Sequence, residues 1–411
     1  MENKLRLYNK NFTMVIIGQI ISIFGNSLLR FSIPLYILSI TKSSATFGMT
    51  LGLSVLPIII FSPISGIIAD CLNKRNTMIL LDSITACIIG GLLISFIYIR
   101  SVALMGIVLL LLSSIQAIYQ PTVHASVPLL VEKYDLVTAN AVVNQVNSLS
   151  KILGPIIGGM IYDIGGIFPI LIFGFITFTI SAILEMSITI PHIKKKEEVS
   201  VFVLMRRESK ECLSFLKKKP MICKIAILVA SFNLLFDSMI TIGIPQVITK
   251  VLSLSSQYYG IAQASLSFGA LIGGVIVAIY GKRIPFHKTY YLFGSTIFSV
   301  LPIIFALKIN KPYMSFIIIC ISCFIFMMIC TIYSVLMTTY IQKQTPPELI
   351  GKVIAYVLAL TSISLPIGNT IYGLMFDIFI RQESIIIVGT ILINILVTLY
   401  ARRILLQAEN K

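Results

Sequence analysis

Residues 66–75 read GIIADCLNKR and stand between two long apolar runs. Asp70 closes the first run, and Lys74 and Arg75 stand directly before the second. A carboxylate and two bases are costly inside lipid, so this stretch predicts a short polar loop between two membrane helices.

The composition of the 411-residue chain is that of an integral membrane protein. Hydrophobic residues make up 57% of it, charged residues only 12%, and the mean hydropathy is +0.97. Its apolar runs of about 20 residues show no period-two alternation, which favours helices over a β-barrel. The basic start, MENKLRLYNKN, leads into a run longer than that of a signal peptide. We therefore predict an all-α membrane protein with a retained N-terminal tail.

Charges, Pro/Gly pairs and polar clusters divide the chain into twelve predicted spans, the first at about 12–38 and the last at about 384–405. An even number places both termini on one side of the membrane. That side collects 24 of the 32 Lys and Arg residues, so the positive-inside rule predicts that both termini are cytoplasmic. The +16 formal charge is then explained by topology and anionic lipid, with no nucleic-acid partner.

A basic polar stretch at residues 192–219 separates spans six and seven. It predicts an N-terminal six-helix bundle at residues 1–191 and a C-terminal bundle at residues 220–411. Apolar residues recur at helical spacing beside arginines within the stretch. This pattern is compatible with a helix at the membrane surface or with a solvated connector.

Two short stretches of the first half recur in the second half in the same order, which indicates a duplicated six-helix unit. The aligned residues are Gly66, Lys74 and Arg75 with Gly274, Lys282 and Arg283, and Asn26, Ser27 and Pro34 with Asp237, Ser238 and Pro245.

The stretch at residues 66–75 resembles the signature G-x-x-x-D-[RK]-x-G-[RK]-[RK] of the major facilitator superfamily, and the resemblance extends over nearly the whole chain. Cys71 replaces a base, and Asn73 replaces a glycine whose left-handed conformation asparagine can adopt. The resemblance implies two pseudo-repeated six-helix bundles of the major facilitator fold.

In that family the loop aspartate faces the N-terminus of span eleven, where a carboxylate is stabilised by unpaired amides. The resemblance therefore implies a conformational latch formed by Gly66, Asp70, Lys74 and Arg75. The alternative is a solvated turn that obeys the positive-inside rule, which accounts for the two bases but not for the aspartate.

Span five contains SKILGPIIGG, which resembles the family's antiporter motif G-P-x-x-G-G through Gly154, Pro155, Gly158 and Gly159. The resemblance implies export. Physically, glycines four residues apart form a smooth face that another helix can approach closely, and the proline bends the span. The loops YQPTVHASVPLLVEKYDLVTANAVVNQ and TPPELIGKV further resemble drug and siderophore exporters of the macrolide efflux permease and enterobactin exporter group.

The sequence has no phosphate-binding loop of the form G-x-x-x-x-G-K-[ST], so an ion gradient is the expected energy source. Intramembrane charges are the candidates for proton coupling. They are Arg30, Asp82, Lys151, Glu185 and Asp237. Asp82 and Glu185 lie near the cytoplasmic span ends, so the alternative for these two is that they snorkel or pair with interfacial groups. Asp237 lies deeper and is the predicted proton site. We also predict an ion pair between Arg30 and Asp237 that gates transport, against the alternatives of a static pair or of no contact.

Polar side chains at helical spacing are the candidates for lining a central cavity. They are Gln19, Asn26, Asn140, Asn144, Asn147, Lys151 and Asn233. Cys320 and Cys323 have the spacing of a metal pair, but with no histidine nearby they are interpreted as apolar filler.

These features predict a secondary active transporter that exports small amphipathic organic molecules by alternating access, as a proton antiporter. It is expected to act as a monomer in the cell membrane, with protons and lipids as partners and without a cofactor, a metal or enzymatic activity. An uptake carrier of the same fold is the nearest alternative. A non-transporting membrane enzyme or sensor is a more distant one, because the scattered histidines form no catalytic set.

Overall fold

The structure is a computed structural model that describes residues 9–191, 214–309, 311–346, 349–380 and 382–409. In these ranges the chain forms twelve long helices and no β-strand. The helices are α1 (Lys10–Thr41), α2 (Ser44–Cys71), α3 (Lys74–Tyr98), α4 (Val102–Leu130), α5 (Leu136–Gly165), α6 (Ile167–Met186), α7 (Pro220–Val251), α8 (Ser256–Tyr280), α9 (Tyr290–Ala306), α10 (Pro312–Gln344), α11 (Ile350–Ile378) and α12 (Glu383–Glu409).

Eleven of the helices in the described part of the chain are long and apolar enough to cross a membrane. The remaining helix is α5, whose hydropathy is lowered by Asn144, Asn147 and Lys151. The chain is thus a multi-pass membrane protein, and the predicted all-α class with its twelve-helix arrangement is confirmed.

Several helices run beyond their apolar sequence. The apolar pattern predicts that the fourth span ends near residue 122, but α4 continues through Pro121 and Pro128 to Leu130. Packing within a helical bundle tolerates proline because neighbouring groups can satisfy the freed carbonyls. Helix α7 contains two π-helical segments, Asn233–Asp237 and Val247–Val251. Such segments often mark functional sites in long helices.

The helices divide between two compact units. Unit 1 comprises Met1–Thr41 and Leu53–Glu198, and unit 2 comprises Lys42–Gly52 and Val199–Lys411. Helix α2 therefore begins in unit 2 and continues in unit 1. The bundle boundaries expected from the linker stay a prediction. The predicted surface helix within residues 192–219 lies almost wholly outside the described residues.

Unit 1 contains two apolar clusters with a polar layer between them. One cluster includes Leu28 of α1 and Leu112 of α4, and the other includes Ile23 of α1 and Tyr119 of α4. Half of the ten residues between these positions on the two helices are polar, namely Asn26, Ser27, Ser113, Ser114 and Gln116. The packing of unit 1 thus places polar side chains of α1 and α4 at the same level.

Unit 2 contains an aromatic cluster centred on Phe232 of α7. The Phe232 ring lies 5.2 Å from Phe293 of α9, 6.1 Å from Phe326 of α10 and 5.9 Å from Tyr333 of α10, measured between centroids. Aromatic pairs at these distances stabilise one another beyond simple burial. The cluster gives α7, α9 and α10 fixed positions around the site described below.

Candidate functional site

Helices α1 and α4 are joined in unit 1 by a chain of polar contacts. Asn26 Nδ2 donates to Gln116 Oε1 at 2.7 Å. Arg30 Nε donates to Asn26 Oδ1 at 2.8 Å, and Arg30 Nη2 donates to Ser113 Oγ at 3.0 Å. Both acceptors of the Arg30 guanidinium in these contacts are neutral. The network therefore orients a full positive charge without neutralising it.

A second set of polar groups lies about one turn nearer the N-terminus of α1 and the C-terminus of α4, and it is buried. Ser22 Oγ donates to Tyr119 Oη at 3.3 Å, and Tyr119 Oη donates to Glu185 Oε1 of α6 at 2.7 Å. Asp82 of α3 lies beside this hydroxyl group. Asp82 is 2% exposed and Glu185 is 1% exposed. The interpretation that these carboxyl groups snorkel to the interface is wrong, because the surrounding helices bury both of them.

Gln19, a predicted cavity residue, lies on α1 one turn before Ser22. Its side chain is completely buried, and within the described part of the chain neither amide atom has a hydrogen-bond partner. An unsatisfied buried amide is costly, so Gln19 is a candidate for a functional rather than a stabilising role.

The predicted polar face of α5 divides into two kinds of residue. Asn140 Nδ2 and Asn147 Nδ2 donate to the carbonyl groups of Leu136 and Val143 at 2.9 and 3.1 Å, so both side chains bond to their own helix. The side chains of Asn144 and Lys151 are exposed.

The glycines of α5 lie against α1. A Cβ atom added to Gly154 would lie 2.1 Å from Ser27 Oγ and 2.6 Å from Ser27 Cβ. One added to Gly158 would lie 3.1 Å from Phe31 Cδ1 and 3.3 Å from Leu28 Cδ2. Only glycine at position 154 permits this approach, which stabilises the contact between α1 and α5 through close packing.

A glycine-to-serine contact of the same kind joins two helices of unit 2, and its glycine, Gly368, was not predicted from the sequence. A Cβ atom added to Gly368 of α11 would lie 2.3 Å from Ser238 Oγ of α7. Ser27 and Ser238 are the serines that the internal repeat aligns. In each unit, therefore, the fifth helix of the repeat places a glycine on the matching serine of the first helix. The isolated Gly368 gave no signal because it lacks the G-P-x-x-G-G context of span five.

The predicted latch is only partly described. Helix α2 includes Gly66 and Asp70, but their side chains lie outside the described residues. Arg75 Nη2 donates to the Met186 carbonyl oxygen. Asn73 does not use the left-handed conformation that asparagine can adopt: its φ is −67°, and its side chain caps α3 by accepting from the Asn76 amide at 3.2 Å. Capping a helix is the ordinary role of asparagine at this position.

A cavity of about 340 Å³ lies within unit 2 between α7, α10 and α11. Asn233 and Asp237, the ends of the first π-helical segment of α7, line it together with Phe232 and Tyr333. Asn233 Nδ2 donates to the Thr361 carbonyl oxygen at 3.3 Å, which joins α7 to α11. The walls are thus mainly apolar, with a carboxyl group among them, and such a cavity suits an amphipathic molecule.

At another point of unit 2, Asp377 near the end of α11 caps the start of α2. Its carboxylate accepts from the Ser44 amide at 2.7 Å, the Ala45 amide at 2.9 Å and Ser43 Oγ at 2.7 Å. A carboxylate is favourable here because the first amides of a helix have no intrahelical partners. The sequence signal was the Ser43-Ser44 pair before an apolar run, which is typical of a helix start.

Comparison with known proteins supplies a family for this architecture. The sequence profile of the Major Facilitator Superfamily matches residues 15–369 and, separately, residues 226–408. Macrolide efflux protein A of Streptococcus pyogenes is 24% identical over 393 residues, covering 95% of this chain and 96% of that protein. Macrolide efflux protein A of Enterococcus faecalis is 24% identical over 327 residues, covering 79% of this chain and 99% of that protein.

Solved structures show the same fold. A bacterial homolog to the human lysosomal transporter Spinster has a TM-score of 0.77 at 14% identity, with 97% of this chain and 98% of that chain covered. The nucleoside transporter NupG has a TM-score of 0.71 at 12% identity, with 96% and 99% covered. Since the family profile extends over most of the chain and the twelve-helix architecture agrees with it, the protein belongs to the major facilitator superfamily.

Proposed function

We propose that the protein exports small amphipathic organic molecules, macrolides among them, across the cell membrane by alternating access in exchange for protons. The observation that carries this proposal is the similarity to macrolide efflux protein A along 95% of the chain. The positive-inside charge distribution supports cytoplasmic termini. A monomer with small-molecule substrate, protons and lipids as partners fits this function.

The unit 2 cavity supports the proposed substrate class. Its aromatic and aliphatic lining suits the apolar part of an amphipathic molecule, and Asp237 offers a single acidic group. Asn233 and Thr361 add amide and carbonyl groups at the same wall. A cavity lined by several charges would instead favour a small polar solute.

The test is a drug-susceptibility panel in a bacterial host that lacks its own efflux pumps. Expression of the protein is expected to raise the inhibitory concentration of erythromycin and to lower its accumulation in the cells. Dissipating the proton gradient should abolish both effects. Increased accumulation on expression would contradict export and indicate an uptake carrier, whereas unchanged accumulation across the panel would contradict the substrate class.

Asp237→Asn is expected to reduce erythromycin efflux roughly tenfold, the effect of losing about 1.4 kcal/mol of interaction with a charged group. Cys330, which lines the same cavity, provides a binding assay. Erythromycin should slow alkylation of Cys330 in the wild type, as read by mass spectrometry, and should do so less in Asp237→Asn. Cys87, exposed on α3, is the control thiol. Equal protection in both proteins would remove Asp237 from the binding site.

Asp70→Asn is expected to slow efflux roughly five- to tenfold while leaving erythromycin affinity unchanged, because a latch biases a conformational equilibrium without touching substrate. Efflux from inverted vesicles and equilibrium binding to purified protein measure the two quantities. Loss of binding in a monodisperse Asp70→Asn protein would contradict the latch.

The gating ion pair between Arg30 and Asp237 also stays a prediction. Exchange of the two charges, Arg30→Asp with Asp237→Arg, should restore part of the efflux that each single change removes. A double exchange no better than the single variants would contradict the pair.

A further inference from the structure

Two carboxyl groups and a tyrosine hydroxyl group meet inside unit 1, where α1, α3, α4 and α6 pack together. Tyr119 Oη donates to Glu185 Oε1 at 2.7 Å and accepts from Ser22 Oγ at 3.3 Å. Asp82 lies within reach of the same hydroxyl group and of Ser181. Among the described residues, Asp82 Oδ2 and Glu185 Oε2 have no hydrogen-bond partner although both atoms are buried.

The two hydroxyl groups next to Asp82 already have acceptors for their hydrogen atoms. A tyrosine hydroxyl group has one hydrogen to donate, and Tyr119 donates it to Glu185. Ser181 Oγ donates its hydrogen to the Gly18 carbonyl oxygen at 3.2 Å. Both hydroxyl groups can therefore only accept a hydrogen bond from Asp82. With no hydroxyl hydrogen directed to Asp82, while Glu185 accepts one from Tyr119, the arrangement favours a carboxylic acid at Asp82 and a carboxylate at Glu185, which is one proton for the two groups.

No base supplies a counter-charge to the pair within the described residues. The titratable and charged groups of the four helices are Lys10, Arg30 and Tyr36 on α1, Lys74, Arg75, Asp82, Cys87 and Tyr98 on α3, Tyr119 and His124 on α4, and Glu185 on α6. Arg75 donates to the Met186 carbonyl group, Arg30 binds Asn26 and Ser113, and His124 is exposed. Two adjacent carboxylates without a cation repel each other in a low dielectric, which favours retention of a proton.

We propose that Asp82, Glu185 and Tyr119 form a proton-binding site in the interior of unit 1 that holds one proton between its two carboxyl groups. Its use as the coupling site of transport rests on the proposed function, whereas proton binding itself does not. Gln19, one turn before Ser22 and buried without a partner for its amide group among the described residues, adds a donor and an acceptor for a rearranged network. Asp237 lies in unit 2, so the two candidate sites can be tested separately.

Infrared spectroscopy of the protein in lipid vesicles tests proton binding directly. The wild type is expected to show the carbonyl stretch of a protonated carboxylic acid at pH 7, and Asp82→Asn with Glu185→Gln should lose the intensity of one such group. Glu132→Gln, a carboxyl change elsewhere in unit 1, should leave the band unchanged. Tyr119→Phe keeps both carboxyl groups and should shift the band. An unchanged band in the double variant, or in a folded Tyr119→Phe protein, would overturn the site.

Transport in the same vesicles separates this proposal from the proposed function. An imposed pH gradient should accelerate erythromycin transport by the wild type, and the double variant should lose that acceleration while retaining exchange at equal pH. A wild type that moves no erythromycin but shows the band would refute the proposed function and leave the site intact. Gradient-driven transport that the double variant retains in full would refute the coupling role of the site.

Discussion

Gly154→Leu is expected to abolish efflux while leaving the protein inserted in the membrane. Even a single added carbon at position 154 would lie 2.1 Å from Ser27 Oγ, so a leucine must force α5 away from α1. Overpacking of this kind typically lowers stability by about 1–3 kcal/mol. Here it also separates α5 from α1 at the close approach between Gly154 and Ser27. Efflux of erythromycin per molecule of membrane-inserted protein is the measurement. Normal efflux at full expression would contradict the role of this contact.

Matched variants separate the contact from a general loss of folding. Gly91→Leu is the control, because an added Cβ at Gly91 meets nothing within 4 Å. Gly154→Ala should already reduce efflux, and adding Ser27→Gly should restore part of it by making room for the new methyl group. Gly158→Leu should also abolish efflux, although its nearest neighbours are side-chain carbons of Phe31 and Leu28 at 3.1 and 3.3 Å, which can shift more easily. A Gly154→Ala effect that Ser27→Gly does not relieve would indicate another cause.

The fold could be predicted from the sequence because lipid leaves few alternatives. A long apolar run must satisfy its own backbone hydrogen bonds, so each run becomes a helix. The charges of Asp70, Lys74 and Arg75 mark the boundary between the second and the third helix, although the connection itself is only residues 72–73. The boundaries were less predictable. Helix α4 continues through two prolines, because packing within the bundle rather than composition decides where the helix ends. Helix α7 contains two π-helical segments that its apolar sequence did not indicate.

The candidate sites were predictable only where one helix carries the pattern. The glycines of α5 are visible in the sequence because helical spacing places them on one face. The contact of Asp82, Tyr119 and Glu185 was not, because the three residues come from three helices and only their packing brings them together. Proximity to a span end suggested snorkelling for both carboxyl groups, but burial depends on the neighbouring helices, which no single span reveals.

The contact between Asp377 and the start of α2 leads to the second large prediction. The carboxylate accepts from two main-chain amides and a hydroxyl group, while Lys250 Nζ donates to the Lys42 carbonyl oxygen at 2.8 Å just before the helix. Lys42 has a φ of 54°, a strained conformation for a lysine, so the turn before α2 needs such contacts to hold it. Removing the carboxylate should therefore open the first turn of α2.

Asp377→Ala is expected to cost about 2 kcal/mol at this helix start, which corresponds to a roughly thirtyfold increase in local opening. Hydrogen exchange of the Ser44 and Ala45 amides, read by mass spectrometry, measures it.

Asp377→Asn should have an intermediate effect because it keeps one acceptor oxygen. Ser43→Ala leaves both amide contacts of Asp377 in place but removes the acceptor of the Thr46 amide at 3.1 Å, so it should speed exchange mainly at Thr46 rather than at Ser44 and Ala45. Because α2 begins in unit 2 and continues in unit 1, faster exchange confined to its first turn would show that the carboxylate holds this end of the helix to unit 2. Unchanged exchange in a folded Asp377→Ala protein would show that the rest of the turn holds the helix without it.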